Sequence, residues 1–251
     1  MIPKIIWTYW DKPEIPVYIQ DCLNTWKYHC KNNWSINILN RETIKLFLEE
    51  NIDYPINIWN DGPQHQSDMF GVALVNKYGG VWMDANIIMQ KPINYVLEKE
   101  WFGYNDNGTE VFLFGSYKNS YIINRIHKLF FKIFSFNKDI RIQVLKQTYS
   151  IDDNYLYPQK LINYLMTSDE KIGHIITNTV NQWETIYILV VVLHRQFNIN
   201  QKKEVFKFLI EKEGNIPELI LNQPLLKLQG AAQQDEYKLN RNSWWYKLTN
   251  N

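Results

Sequence analysis

Residues 64–86 constrain the fold of this chain more than any other stretch of the sequence. Apolar residues recur on successive helical turns from Gln64 to Tyr78, and Gly79-Gly80 then stops the helix, because glycine accepts the left-handed backbone conformation there. Val81-Trp82-Met83 has the pattern of a short buried strand, and Asp84 stands at its end. The segment therefore predicts a helix, a sharp reversal and a strand whose carboxyl end carries a charged oxygen.

The first fifty residues alternate between strand and helix patterns. Lys4–Trp10 is β-branched and aromatic, a helix is predicted from Pro16, Trp34–Leu39 alternates as a second strand, and Thr43–Glu50 is a short helix. This order favours a largely parallel sheet in an α/β protein.

The remainder of the chain predicts two further strands followed by helices. Trp101–Tyr104 and Val111–Phe114 flank a polar turn. The predicted helices are Ile122–Phe134, Tyr157–Met166, Glu184–Arg195 and Gln201–Glu211. Since no repeat or linker interrupts the sequence, we expect one domain over residues 1–251 with a helical C-terminal elaboration.

Composition and charge exclude several classes of protein. Lys and Arg total 27 against 26 for Asp and Glu, so bulk electrostatic binding to nucleic acid or an anionic membrane is not expected. The longest apolar run, residues 186–193, is far shorter than the ~20 residues of a membrane helix, and the N-terminus lacks a secretory pattern. A protein of the cytoplasm is expected. Cys22 and Cys30 lie too far apart on one predicted helix for a disulfide, so both are expected to be free thiols.

The chemistry of the chain is predicted to lie at Asp84 and Asn86. Ligands of open α/β sheets bind outside the carboxyl ends of strands, and side chains two residues apart on an extended segment point to the same side. Two such oxygens, with a diphosphate and water, suit the octahedral shell of Mn²⁺ or Mg²⁺. The alternative for an isolated Asp-x-Asn is a turn closed by a side-chain hydrogen bond.

The segment Ser67–Asn86, together with the opening Ile2–Asp11, resembles the capsular polysaccharide synthesis glycosyltransferases. That family is related to the yeast-type initiating mannosyltransferases and the large clostridial glucosylating toxins. The resemblance implies a GT-A-type, Rossmann-like mixed sheet flanked by helices. Residues 1–120 would bind the nucleotide-sugar, and residues 121–251 would form the mostly helical acceptor side and a C-terminal loop. It also implies transfer of a sugar from a UDP- or GDP-sugar to a glycan or other hydroxyl acceptor, with retention and with Mn²⁺ or Mg²⁺.

The resemblance also assigns roles to residues of this chain. Asp84 and Asp68 match the catalytic carboxylates, Asp68 being the one that holds the ribose and sugar hydroxyls. The implied donor-binding residues are Trp7, Thr8, Asp68, Asp84, Asn86, Ser243, Trp244 and Trp245, with Trp7 packing on the nucleobase. The implied metal ligands are Asp84, Asn86 and Asn240.

Two positions depart from the family pattern. Gly71 stands where the family carries an arginine, and Asn86 stands where it often has aspartate. Gly71 lies one helical turn beyond Asp68, so both are expected to face the donor cleft. The departures leave open an alternative function, a non-catalytic nucleotide-sugar or glycan-binding protein with a degenerate donor site. A lectin-like module that uses exposed Trp and Tyr side chains is a third possibility.

Overall fold

The computed structural model describes residues 1–31, 33–105, 108–153, 156–172 and 225–227. The chain divides into two compact units. The first comprises Met1–Pro13, Trp34–Asp84 and Tyr95–Gln182, and the second comprises Glu14–Asn33, Ala85–Asn94 and Trp183–Asn251. The single domain expected over residues 1–251, with its division at residue 120, stays a prediction.

The first unit is built on a mixed sheet. In the described part of the chain its strands are β1 (Ile5–Tyr9), β2 (Ser35–Leu39), β3 (Gly80–Met83), β5 (Trp101–Asn105) and β6 (Gly108–Ser116), in the order β2-β1-β3-β6-β5. Strands β2, β1 and β3 are parallel, while β6 is antiparallel to both β3 and β5. The predicted α/β class with a mixed sheet is confirmed.

The helices of this unit are α2 (Pro63–Tyr78), α3 (Tyr121–Phe134), α4 (Lys138–Tyr149) and α5 (Tyr157–Ser168). Helix α4 was not predicted, because its apolar side chains are few and form no continuous stripe. Glu184–Arg195 and Gln201–Glu211 lie outside the described residues. Within the described part of the chain, no helix is both long enough and apolar enough to span a membrane.

Helix α2 packs on β1, β3 and β6 and against α3, so it is the central helix of the unit. Its side chains from Met69 to Val75 are buried, which encloses the helix on several sides. In α3 the aromatic run contributes Phe130 and Phe134 to the same core. These rings are therefore structural, and they do not form an exposed apolar surface.

The reversal between α2 and β3 depends on two glycines with positive φ. Gly79 has φ 73° and Gly80 has φ 106°, conformations that other residues rarely adopt. A Cβ atom at Gly79 would lie 2.8 Å from the backbone nitrogen of Lys118, and one at Gly80 would lie 2.6 Å from the carbonyl oxygen of Ile5. The glycines therefore let the end of α2 turn directly into the middle of the sheet.

The second unit contains α1 (Val17–His29), β4 (Ile87–Met89) and β7 (Leu225–Lys227), and β4 pairs with β7 in antiparallel fashion. Trp26 Nε1 donates a hydrogen bond of 2.6 Å to the carbonyl oxygen of Ile87, which ties α1 to β4. Cys22 and Cys30 are both buried free thiols, as predicted. Burial raises the pKa of the Cys30 thiol to about 11, so it is protonated at neutral pH.

Candidate functional site

The carboxyl ends of β2, β1 and β3 lie at the same edge of the sheet, because the strands are parallel neighbours. Asp84 directly follows β3 at this edge. Its backbone nitrogen donates a hydrogen bond of 2.9 Å to the carbonyl oxygen of Phe112, which extends the β3–β6 ladder by one residue. The backbone of Asp84 is therefore fixed, and this half-buried residue stands at the edge where ligands of such sheets bind.

Asp68 is half-buried on α2, the helix that leads into β3. The pKa of the Tyr157 hydroxyl is raised, chiefly by burial, and the negative charge of Asp68 contributes to that rise. The charge of Asp68 therefore acts on Tyr157, the first residue of α5. Asp68 and Asp84 belong to one continuous helix–strand segment joined by the two glycines, which fixes the path between them.

A chain of hydrogen bonds ties the first turn of α2 to the end of β1. The Tyr9 hydroxyl donates to Gln66 Oε1 at 2.9 Å, and Gln66 Nε2 donates to the backbone oxygen of Asp61 at 2.8 Å. Gln66 is buried, so both polar ends of its amide are satisfied inside the protein. The segment just before Asp68 is therefore anchored to the edge where Asp84 lies.

A buried ion pair holds the same end of α2 against α4. Arg141 is only 4% exposed, and its guanidinium donates to both carboxylate oxygens of Asp61, at 2.7 and 2.8 Å. A third bond, 3.1 Å long, runs from Arg141 Nη1 to the Tyr157 hydroxyl. Burial lowers the pKa of Arg141, but the bonds to Asp61 and Tyr157 outweigh that effect and raise it. Arg141 is therefore positively charged, and the carboxylate of Asp61 compensates that charge.

No pattern in the sequence predicts this network of Tyr9, Asp61, Gln66, Arg141 and Tyr157. Eighty positions separate Asp61 from Arg141, so no local spacing indicates the pair. One signal was available: Gly62-Pro63 marks a helix start, and Asp61 stands directly before it.

The expectation that Gly71 faces an open donor cleft is wrong. A Cβ atom at Gly71 would lie 2.5 Å from Cδ2 of Trp82, and 2.7 and 2.9 Å from two further atoms of the same ring. Trp82 is fully buried on β3, so its indole occupies the space that a side chain at position 71 would need. The Nε1 atom of Trp82 has no acceptor among the described residues.

Trp7 and Thr8 are placed in the interior. Trp7 is 3% exposed, its Nε1 donates to the carbonyl oxygen of Gly79 at 2.8 Å, and its ring packs against Phe47 and Tyr78. Thr8 is fully buried, and its hydroxyl has no partner among the described residues. Both side chains are therefore packed in the protein interior, and their roles as donor-binding residues stay predictions.

The other predicted metal and donor ligands lie outside the first unit or outside the described residues. Asn86 belongs to the second unit, where it is half-buried. Asn240, Ser243, Trp244 and Trp245 all lie beyond the described residues. Within the described part, no group of three or more His, Cys, Asp or Glu side chains is arranged to hold a metal ion.

Comparison with known protein families decides the relationship of the chain. The family model described as "Capsular polysaccharide synthesis protein" matches residues 1–213. The chain belongs to this family. The family recognised from the sequence is therefore confirmed.

Outside this family, a solved structure is similar to the chain at low sequence identity. No curated protein gives a significant match. The chain is similar to a solved structure described as "PaToxG Glycosyltransferase", with 15% sequence identity and a TM-score of 0.41, over 68% of this chain and 78% of that one. The region matched by the family model includes Asp68, Asp84, Asn86 and Arg141, whereas the predicted C-terminal loop residues from Asn240 onward lie beyond it.

Proposed function

We propose that this protein is a glycosyltransferase that moves a sugar from a nucleotide-sugar to a hydroxyl acceptor. Membership of the capsular polysaccharide synthesis family supports glycosyl transfer as the general activity. The observation that carries the proposal is the placement of Asp84 just beyond β3, at the shared carboxyl edge of three parallel strands. The preceding helix brings a second carboxylate, Asp68, in the same segment.

In this proposal Asp84 binds a divalent cation, Mn²⁺ or Mg²⁺. Such ions are bound through one or two carboxylates with the remaining positions filled by substrate phosphates and water, so a single carboxylate fits this mode of binding. When bound, the ion neutralises charge on the leaving diphosphate. Asn86 is included as a second ligand on the basis of its sequence spacing from Asp84.

Asp68 is proposed to accept hydrogen bonds from hydroxyls of the donor. Its helix is held by the Gln66 and Asp61 contacts, so the carboxylate needs little reordering when the donor binds. Retention of configuration is part of the proposal. It requires no covalent intermediate if the leaving phosphate helps to deprotonate the acceptor on the same face of the sugar, so we assign no nucleophile.

The packing of Trp82 on Gly71 favours a second candidate function. Residue 71 is glycine and the Trp82 indole fills the space beside it, so this chain has no guanidinium where the family pattern has one. A site without that charge binds the diphosphate less strongly, which is consistent with a protein that binds nucleotide-sugars without turning them over.

Slow hydrolysis separates the two candidates. The purified full chain is incubated with Mn²⁺ and a panel of UDP-glucose, UDP-N-acetylglucosamine and GDP-mannose, and release of nucleoside diphosphate is followed. Release that depends on Mn²⁺ supports the transferase. Binding of a donor without release of nucleoside diphosphate, also when acceptors are added, supports the non-catalytic protein.

Replacing Asp84 by alanine should remove Mn²⁺-dependent binding of UDP or GDP while leaving the protein folded. Changes in residues that merely support a metal ligand cost roughly 10–100-fold in affinity, so loss of the ligand itself should cost at least as much. Calorimetric titration with and without Mn²⁺ measures the effect. Asp152→Ala is the matched control, since Asp152 is exposed and pairs only with the exposed Lys146 among the described residues. Unchanged Mn²⁺-dependent affinity in Asp84→Ala would exclude this residue as the ligand.

Replacing Asn86 by aspartate should tighten binding of Mn²⁺ several-fold, because a second carboxylate adds charge at a site for a hard cation. Titration of the protein with Mn²⁺ in the presence of UDP measures the change. Equal or weaker binding in the variant would show that Asn86 does not contact the ion.

A further inference from the structure

Strand β6 continues past the end of its neighbour at the candidate site. Strand β3 pairs only with Leu113–Ser116, so the earlier residues of β6 lie beyond the carboxyl end of β3. Asp84 bonds to Phe112 in this extension. Glu110 stands two residues further along β6, at the edge of the sheet that carries Asp84.

The backbone of β6 is irregular at this point. Phe102 pairs with Phe114 and Tyr104 pairs with Thr109, so a step of two residues along β5 is matched by a step of five along β6. Gly103 faces the bulged segment, and a Cβ atom there would lie 3.1 Å from the carbonyl oxygen of Leu113. Bulges of this kind change the direction of side chains and are common beside active sites.

The bulge contains a buried carboxylate. Glu110 is 5% exposed, and the side-chain amide of Gln159 on α5 donates a hydrogen bond to it. The neighbouring Thr109 is also held, because its backbone nitrogen donates to Asn163 Oδ1 at 2.9 Å. Helix α5 therefore fixes the position of Glu110.

This arrangement is costly to the fold. A carboxylate withdrawn from water costs free energy, and a bulge interrupts the ladder of the sheet. Such local costs are expected where a side chain serves a ligand. We infer that Glu110 is a further substrate-binding residue, which accepts hydrogen bonds from hydroxyl groups of the transferred sugar. The inference rests on the proposed function and adds to it a residue on a different strand from Asp84.

The test compares Glu110→Gln with the parent protein in binding UDP and UDP-glucose, and GDP and GDP-mannose, all with Mn²⁺. Glutamine keeps the shape of the side chain and can still accept a bond from Gln159. We expect affinity for the nucleotide-sugar to fall roughly 10- to 100-fold, the loss typical of a hydrogen bond to a charged group, with affinity for UDP or GDP unchanged. Glu100→Gln is the matched control, since Glu100 adjoins the same strand pair but bonds to Ser116 at the other end of β6.

Two results would overturn the inference while leaving the proposed function intact. One is equal affinity for the nucleotide-sugar in Glu110→Gln and Glu100→Gln. The other is a melting temperature of Glu110→Gln well below that of the parent with sugar affinity unchanged, which would make Glu110 a structural residue. Failure of the proposed function differs: the parent itself would bind neither UDP nor GDP with Mn²⁺, and the inference would fall with it.

Discussion

Replacing Arg141 by methionine should lower the free energy of unfolding by about 3–5 kcal/mol, the range found when one partner of a buried ion pair is removed. The pair is nearly inaccessible, with 5% of the Arg141 side chain and 8% of the Asp61 side chain exposed. Methionine keeps much of the volume but leaves the Asp61 carboxylate buried without its counter-charge. The Tyr157 hydroxyl also loses its bond to the guanidinium.

Chemical denaturation of the full chain measures this loss. Lys146→Met on the same helix is the matched control, because Lys146 and its partner Asp152 are both exposed and such pairs contribute little. The double variant Asp61→Asn/Arg141→Met should recover part of the stability, since it removes both charges. A single variant as stable as the control would show that water reaches Asp61 freely.

Replacing Gly71 by arginine should destabilise the protein by at least about 2–3 kcal/mol, although arginine has the higher helix propensity. The first added carbon would already overlap the Trp82 ring, with its nearest atom 2.5 Å away. Both residues are fully enclosed between α2 and β3, so the indole must move or the helix must shift. Either change disturbs the segment that joins Asp68 to Asp84.

Thermal unfolding and nucleotide-sugar titration together test this prediction. Gly62→Ala is the matched control, because a Cβ atom at Gly62 would meet nothing within 4 Å. The double variant Gly71→Arg/Trp82→Ala should unfold at a higher temperature than Gly71→Arg alone, since it removes the overlapping ring. A single variant that is as stable as Gly62→Ala and binds the donor more tightly would show that Trp82 moves aside without cost.

Among the described residues, local patterns located the strands of the sheet and most helices, but the sheet is mixed where the strand and helix order favoured a largely parallel one. β-Branched and aromatic residues marked β1, alternation marked β2, and the double glycine after a helical run located both the end of α2 and the start of β3. Helix α4 was missed because its polar faces give it almost no periodic signal, although tertiary contacts through Arg141 and Leu145 hold it in place. Sequence periodicity therefore detects elements that bury a continuous apolar stripe, and it misses those held by single polar contacts.

The residues assigned to the candidate site stay predictions, and those close in the sequence are the easiest to place. Asp68 and Asp84 lie on one helix–strand segment, where resemblance to the family assigned their roles. Trp7 was assigned a nucleobase-binding role by resemblance, which stays a prediction; its burial and the hydrogen bond from its nitrogen to Gly79 could not be predicted from the sequence. The packing of Trp82 on Gly71 and the pairing of Arg141 with Asp61 depend on tertiary contacts, which no spacing in one sequence encodes.

The glycine reversal after α2 has a consequence for how this chain can vary. Gly79 and Gly80 are enclosed by backbone atoms of Lys118 and Ile5, so neither tolerates a side chain and the corner cannot lengthen gradually. The corner therefore has a fixed length. An inserted residue would rotate the Asp68 carboxylate relative to the Asp84 carboxylate, even if no ligand-binding residue changed. Variation in ligand preference is therefore expected to arise in the surrounding strands and helices, with the separation of Asp68 and Asp84 held constant.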